Sequence, residues 1–249
     1  GATLTIEPGV TVKFDSGLGL TIKGTLIAQG TSTSTITFTS SAASPAAGDW
    51  VNILFHPDSQ DATFDGNGDY SSGSILEHCV VEYGASDMVY ANSSAPFINY
   101  CTIRYSSSTG SALRASNASL KILNSAITQN AGTGISASGS NPELTLINST
   151  ISNNGRGGVD NSSGNTTISN STIQSNLGIG LNLGGTAAVV TDNLIDGNYL
   201  GLMIQGTNGS VHVVSGNTIT NNDGRNSGNG NGGGVRVDST GSSQITVED

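Results

Sequence analysis

The sequence predicts an all-β chain wound as a parallel β-solenoid, and three observations carry that prediction. Apolar residues alternate with polar ones in short runs such as "LTLINSTI" (144–151), the pattern of strands with one buried face. These runs recur every 22 to 24 residues, a period that marks repeat architectures. Asn and Gly fall between the runs, where chain corners need residues that tolerate left-handed backbone angles. Helix-forming runs are absent.

The repeat is legible position by position. "INSTISNNG" (147–155) is nearly copied by "ISNSTIQSN" (168–176). One anchor runs through Val81, Ile103, Ile127, Ile151, Ile173, Ile195 and Ile219, in steps of 22, 24, 24, 22, 22 and 24. A second anchor runs three residues later through Asn130, Asn154, Asn176, Asn198 and Asn222. A third is the pair Gly134-Ile135, Gly158-Val159, Gly180-Leu181, Gly201-Leu202 and Gly234-Val235, whose last step is lengthened by an insertion at 223–233. Two residues before the first anchor stand Cys79, Cys101, Ser125, Ser149, Ser171, Asn193 and Asn217. They are expected to face inward as a ladder of small polar groups, bonded coil to coil at the ~4.8 Å spacing of paired strands. The whole chain is expected to be one domain: opening coils over 1–55, an acidic loop insertion at 56–74, and regular coils over 75–249.

Residues 75–222, with their "N-S-x-I-x-x-N" units and the Gly-apolar step, resemble the right-handed parallel β-helix superfamily, the pectate-lyase-like fold. Residues 3–55, with "LTIEPGVTVKF", "LTIKGTLIAQGT", "ITFTS" and "GDW", resemble the opening coils of bacterial extracellular β-helix proteins. The resemblance implies a single-stranded right-handed parallel β-helix of roughly nine to eleven coils, ~45–50 Å long at the strand spacing. It also implies an extracellular or cell-surface location. It does not imply one activity, because this scaffold hosts lyases, hydrolases, adhesins and passive stalks.

Composition excludes several classes of partner. The 249 residues carry 8 Lys plus Arg against 18 Asp plus Glu, a formal net charge of -10. Nucleic acid and anionic membrane surfaces are bound by clustered basic side chains, and this chain has none. No apolar run approaches the ~20 residues that span a bilayer. The chain begins at Gly1 rather than Met, so a targeting segment is expected upstream or already removed.

The resemblance places ligand sites on the outer face of each coil's first strand. The outward residues there are Tyr90, Arg114, Ser136, Asp160, Asn182, Met203 and Arg236, each following an inward apolar residue. Tyr90, Arg114, Asp160 and Asn182 form the candidate ligand-binding set: an aromatic platform, charged partners and a hydrogen-bonding amide, suited to a sugar. No catalytic set is expected. Glycoside hydrolysis needs two carboxylates about 5–9.5 Å apart, and Asp87 lies three coils from Asp160, ~14 Å at the strand spacing. The paired-Asp and "GHG" signatures of polygalacturonase-like enzymes are missing, and Arg114 has no calcium-binding carboxylates in its row. His56, His78 and His212 are far apart in the coil count.

Calcium is the one cofactor candidate. "DGNGD" (65–69) offers the side-chain oxygens of Asp65, Asn67 and Asp69 around a Gly-rich loop. Position 12 of an EF-hand-like loop would be Leu76 rather than an acid, and a solvated acidic loop is the competing reading. Glu82 and Arg104 occupy equivalent outward positions on adjacent coils and are expected to form a cross-strand ion pair. Cys79 and Cys101 are expected as neighbours, read as buried ladder members against a disulfide or a metal pair. The sequons at Asn92 and Asn148 follow from the repeat chemistry.

Neither end shows a capping helix, which leaves three readings: a segment of a longer protein, end-to-end stacking into a fibre, or a cap formed by a loop such as 39–49. The expected function is a non-enzymatic extracellular module, structural or fibre-forming, with polysaccharide and further copies of the chain as partners. The alternative is a polysaccharide lyase or glycoside hydrolase.

Overall fold

The structure is a computed structural model that describes residues 1–107, 110–140, 142–224, 233–239 and 242–248. Three parallel sheets run its length. Sheet A starts at Thr3–Ile6 and has ten strands, sheet B starts at Thr11–Phe14 and has nine, and sheet C starts at Leu20–Ile22 and has nine. The chain visits A, B and C in turn and pairs each strand with its counterpart one coil on. This is a right-handed β-helix of about nine turns with no helix among the described residues, as the 22-to-24-residue repeat requires. The inserted residues 225–232 lie outside the described residues.

The apolar anchor forms one column in sheet B. Val12 pairs with Phe38, Phe38 with Val81, and the column continues through Ile103, Ile127, Ile151, Ile173 and Ile195 to Ile219. From Phe38 to Ile195 every member is fully buried. Each thereby removes its side chain from water, worth about 1.5–3 kcal/mol. The wider opening coils are filled by aromatics: Phe14 stacks on Trp50 with ring centroids 4.4 Å apart, and the Trp50 indole N–H donates to the Glu82 carbonyl at 2.8 Å.

The polar anchors form two internal ladders flanking sheet B. In the first, the Cys101 N–H donates to Ser125 Oγ (3.0 Å) and the Ser125 N–H to Ser149 Oγ (3.1 Å). The series continues through Ser171, Asn193 and Asn217. In the second, the Ser106 N–H donates to Asn130 Oδ1 (3.0 Å); Asn154, Asn176, Asn198 and Asn222 follow, each side-chain oxygen taking both the backbone and the side-chain N–H of the Asn one coil before. Buried N–H groups need partners, and the turns between strands cannot supply them. The repeated polar residues supply them instead.

Outside each ladder runs a column of left-handed residues. One contains His78, Tyr100, Asn124, Asn148, Asn170, Asp192 and Gly216; the other contains Tyr83, Tyr105, Gln129, Asn153, Ser175, Gly197 and Asn221, all at φ between 47° and 64°. The Gly-apolar step has a different cause. A Cβ on Gly158 would stand 2.5 Å from the Gly180 carbonyl oxygen, and one on Gly201 2.6 Å from that of Gly234. At these positions consecutive coils approach too closely for any side chain.

The acidic insertion at 56–74, read from the sequence as a loop, contains a small antiparallel hairpin with strands Thr63–Phe64 and Tyr70–Ser72. Phe64 and Tyr70 give it an aromatic face, which packs against Phe97 of sheet A and offsets the cost of ordering a loop.

Candidate ligand-binding face

Sheet C places the sequence-derived row in one line. Tyr90 pairs with Arg114, Arg114 with Ser136, Ser136 with Asp160, and Asp160 with Asn182. Met203 and Arg236 extend it. Val89, Leu113, Ile135, Val159, Leu181 and Leu202 beneath are buried, so strand alternation obliges their neighbours to point outward. Val235 continues the inward column but is 43% exposed, because no described strand pairs beyond it.

The row divides into two halves with Ser136 between them. In the first, the Arg114 guanidinium lies 5.7 Å from the Tyr90 ring centroid and 3.3 Å from Asp87 Oδ2. It covers one face of the ring the sequence offered as a platform. In the second, Asn182 Nδ2 donates to Asp160 Oδ1 at 3.2 Å, and Gln205 Nε2 donates to Asn182 Oδ1 at 2.9 Å. A shallow cleft of about 140 Å³ opens here between Thr133, Gly157, Asp160, Ile179 and Asn182. Burial pushes the Asp160 carboxyl above the usual carboxylate range, against hydrogen bonds from Ser162 and Asn182 that pull the other way. The Arg114 and Asp160 positions are two coils apart, ~9.6 Å at the strand spacing, so one extended ligand could touch both halves.

The "DGNGD" residues form the hairpin turn. Asp65 Oδ1 accepts the backbone N–H groups of Asn67 (2.8 Å) and Asp69 (3.0 Å), a self-capped turn of the Asx kind. Asp65 Oδ2 and the side chains of Asn67 and Asp69 are what the loop offers a cation. Among the described residues no three His, Cys, Asp or Glu side chains are grouped to hold a metal.

Cys79 and Cys101 are buried, free neighbours. Their thiols donate to the Glu77 and Asn99 carbonyls, each at 3.3 Å. The contact with Cys101, together with burial, pushes the Cys79 thiol far up, which keeps Cys79 a protonated, packed thiol. Glu82 and Arg104 form the expected cross-strand pair at 2.7 Å. His78 lies at a corner, stacked on Tyr100 with centroids 4.7 Å apart. His212 is fully buried, and neither ring nitrogen has a hydrogen-bond partner among the described residues.

The sequence reading missed one surface feature. His78, Tyr83, Tyr100 and Tyr105 occupy left-handed corners that Asn, Gly or other polar residues fill elsewhere. Tyr83 and Tyr105 stack at 5.2 Å, and Arg104 lies 5.1 Å from the Tyr105 centroid. Such stacks are worth about 0.5–1.5 kcal/mol, which offsets the strain of a bulky residue at positive φ. The signal was the 22-residue spacing of each aromatic pair.

The family model described as right handed beta helix region matches residues 2–159 and again 88–249. The chain belongs to that family. The two matches overlap over 88–159 because a repeat can be entered at more than one coil. Neither curated proteins nor solved structures returned a significant match. Membership in the right-handed β-helix family establishes the scaffold and leaves the activity to the surface residues.

Proposed function

We propose that this β-helix is a non-enzymatic extracellular or cell-surface module that binds polysaccharide along the outer face of sheet C. The observation that carries the reading is the continuous row from Tyr90 to Asn182, with a cleft at its Asp160–Asn182 end. A row with one polar group per ~4.8 Å coil suits an extended chain of hydroxylated rings better than a compact ligand.

A second reading, a polysaccharide lyase or hydrolase, is favoured by the raised Asp160 carboxyl, the state a general acid needs. It lacks a partner: Asp87 is bound to Arg114 and lies three coils away, ~14 Å. A glycan array run with reducing-sugar and unsaturated-product assays tests both. Binding that is lost in Asp160→Ala and Arg114→Ala, with no product formed, supports the module. Product formation replaces it with the enzyme, and no binding to any polysaccharide removes the sheet C site.

A further inference from the structure

The inserted hairpin builds a second cleft on a different face. Its root is pinned to the residues leading into the sheet A strand Phe97–Asn99: the Ala62 N–H donates to the Ala95 carbonyl at 2.8 Å, and the Ala95 N–H donates to Asp61 Oδ1 at 2.7 Å. Its tip is latched by Lys121, whose Nζ donates to the Gly68 carbonyl at 2.8 Å and stands 3.9 Å from the Phe64 ring centroid. Phe64 meets Phe97 edge-on at 5.2 Å. Between hairpin and sheet lies a cleft of about 230 Å³, with Ala62, Phe64 and Pro96 as its apolar part and Lys121, Glu143 and Thr145 as its polar part.

The polar side chains share one face because Lys121 pairs with Thr145, and Glu143 lies two residues before Thr145 on the same strand. Lys121 and Glu143 form no ion pair with each other or with any other described residue. The ammonium spends one of its three donors on Gly68, and two remain. The Glu143 carboxylate makes no hydrogen bond within the described chain.

We infer that the cleft between the hairpin and sheet A binds one neutral sugar ring of hexose size. A sugar ring has an apolar C–H face and hydroxyls that both donate and accept. Pro96, Ala62 and the part of Phe64 that the Lys121 ammonium leaves uncovered suit the face; Glu143 accepts from a hydroxyl, and Lys121 donates to one. The opposite signs of Lys121 and Glu143 cancel, so the cleft has no net charge that favours an anionic or a cationic ring over a neutral one. The volume falls below the ~300–1,000 Å³ of pockets for larger ligands, so the site takes one ring. The inference does not rest on the sheet C site, which lies on another sheet.

The test is a titration of the full chain with D-glucose, D-galactose, D-mannose and D-glucuronate, followed by amide chemical shifts. A single ring has few contacts, so the expected Kd is millimolar. Shifts are expected at the backbone amides around 62–64, 119–121 and 143–145 with at least one neutral hexose, and weaker ones with the glucuronate. Glu143→Gln should weaken binding about tenfold while leaving the melting temperature in place, since the carboxylate it turns into an amide makes no hydrogen bond within the described chain. Lys121→Met should also weaken it, and Lys13→Met, at an exposed position of sheet B, should not. Absence of shifts with every sugar at about 50 mM, far above that Kd, overturns the inference. So does equal affinity in Glu143→Gln and the parent chain, or shifts confined to sheet C.

Discussion

Replacing Asn154 with Ala removes one rung of the inner ladder. The side chain is fully buried. Its Oδ1 accepts the Asn130 backbone N–H at 3.3 Å and Asn130 Nδ2 at 3.0 Å. Its Nδ2 donates to the Ile127 carbonyl at 3.2 Å and to Asn176 Oδ1 at 2.9 Å. Alanine leaves the Asn130 N–H without an acceptor, a loss of about 1–3 kcal/mol, and deletes three further bonds worth about 0.5–1.5 kcal/mol each. Asn130 Nδ2 keeps the Ile103 and Thr128 carbonyls, and Asn176 Oδ1 keeps the Asn154 N–H. Part of the loss is therefore recovered, and about 3–5 kcal/mol remains. For a chain of this size each kcal/mol moves Tm by about 2–4 °C, so Tm should fall by at least about 6 °C. The control is Asn153→Ala next door, an exposed corner at φ 55°. It loses the left-handed preference, about 1–2 kcal/mol, and one donation from Asn153 Nδ2 to Ser152 Oγ at 3.3 Å. The assay is thermal melting followed by circular dichroism. A Tm for Asn154→Ala within about 2 °C of the parent, or a larger loss in Asn153→Ala, would refute the ladder as a source of stability.

Four further outcomes are expected. Burial holds the His212 imidazole below its ordinary 6.5. Its neighbours across the sheet, Ala188 and Ile245, are uncharged, and the acids and bases of the adjoining strands, Arg236, Asp238 and Glu248, stand at outward positions or strand ends. The unfolded chain therefore binds the proton first, so stability is full above pH 6.5. It falls below that, by up to about 1.4 kcal/mol per pH unit; an unchanged acid slope in His212→Leu denaturant titrations would contradict this. Ile151→Asp puts an unpaired charge in the dry column and should abolish the cooperative melt; a parent-like melt would deny the burial. Calorimetry with calcium, against a chelator control and an Asp65→Ala/Asp69→Ala double variant, decides the hairpin loop: heat lost in the variant makes it a calcium site, and identical heats leave it a self-capped turn. Light scattering across a salt series should show association strengthening as salt screens the net charge of -10; monomers at every salt and protein concentration would end the fibre reading.

The sequence by itself determined the winding. The steps between Ile103, Ile127, Ile151 and Ile173 dictate which strands pair, because an apolar column must stay in register to stay dry. The same count placed Ser125, Ser149 and Ser171 inside and Tyr90, Arg114, Asp160 and Asn182 outside, since alternation leaves no other choice. What no one-dimensional count could hold are contacts made across the coils by side chains and by residues outside the repeat. That Arg114 covers Tyr90 and grips Asp87 depends on where a long flexible chain comes to rest. The burial of His212 without a hydrogen-bond partner among the described residues depends on which groups of neighbouring coils face it. The hairpin at 63–72 has no counterpart in other coils, so its docking on Phe97 and its latch to Lys121, 53 residues further on, could not be extrapolated from the period. Periodicity sets the backbone of a solenoid, while its surface chemistry is decided where unlike side chains meet in space.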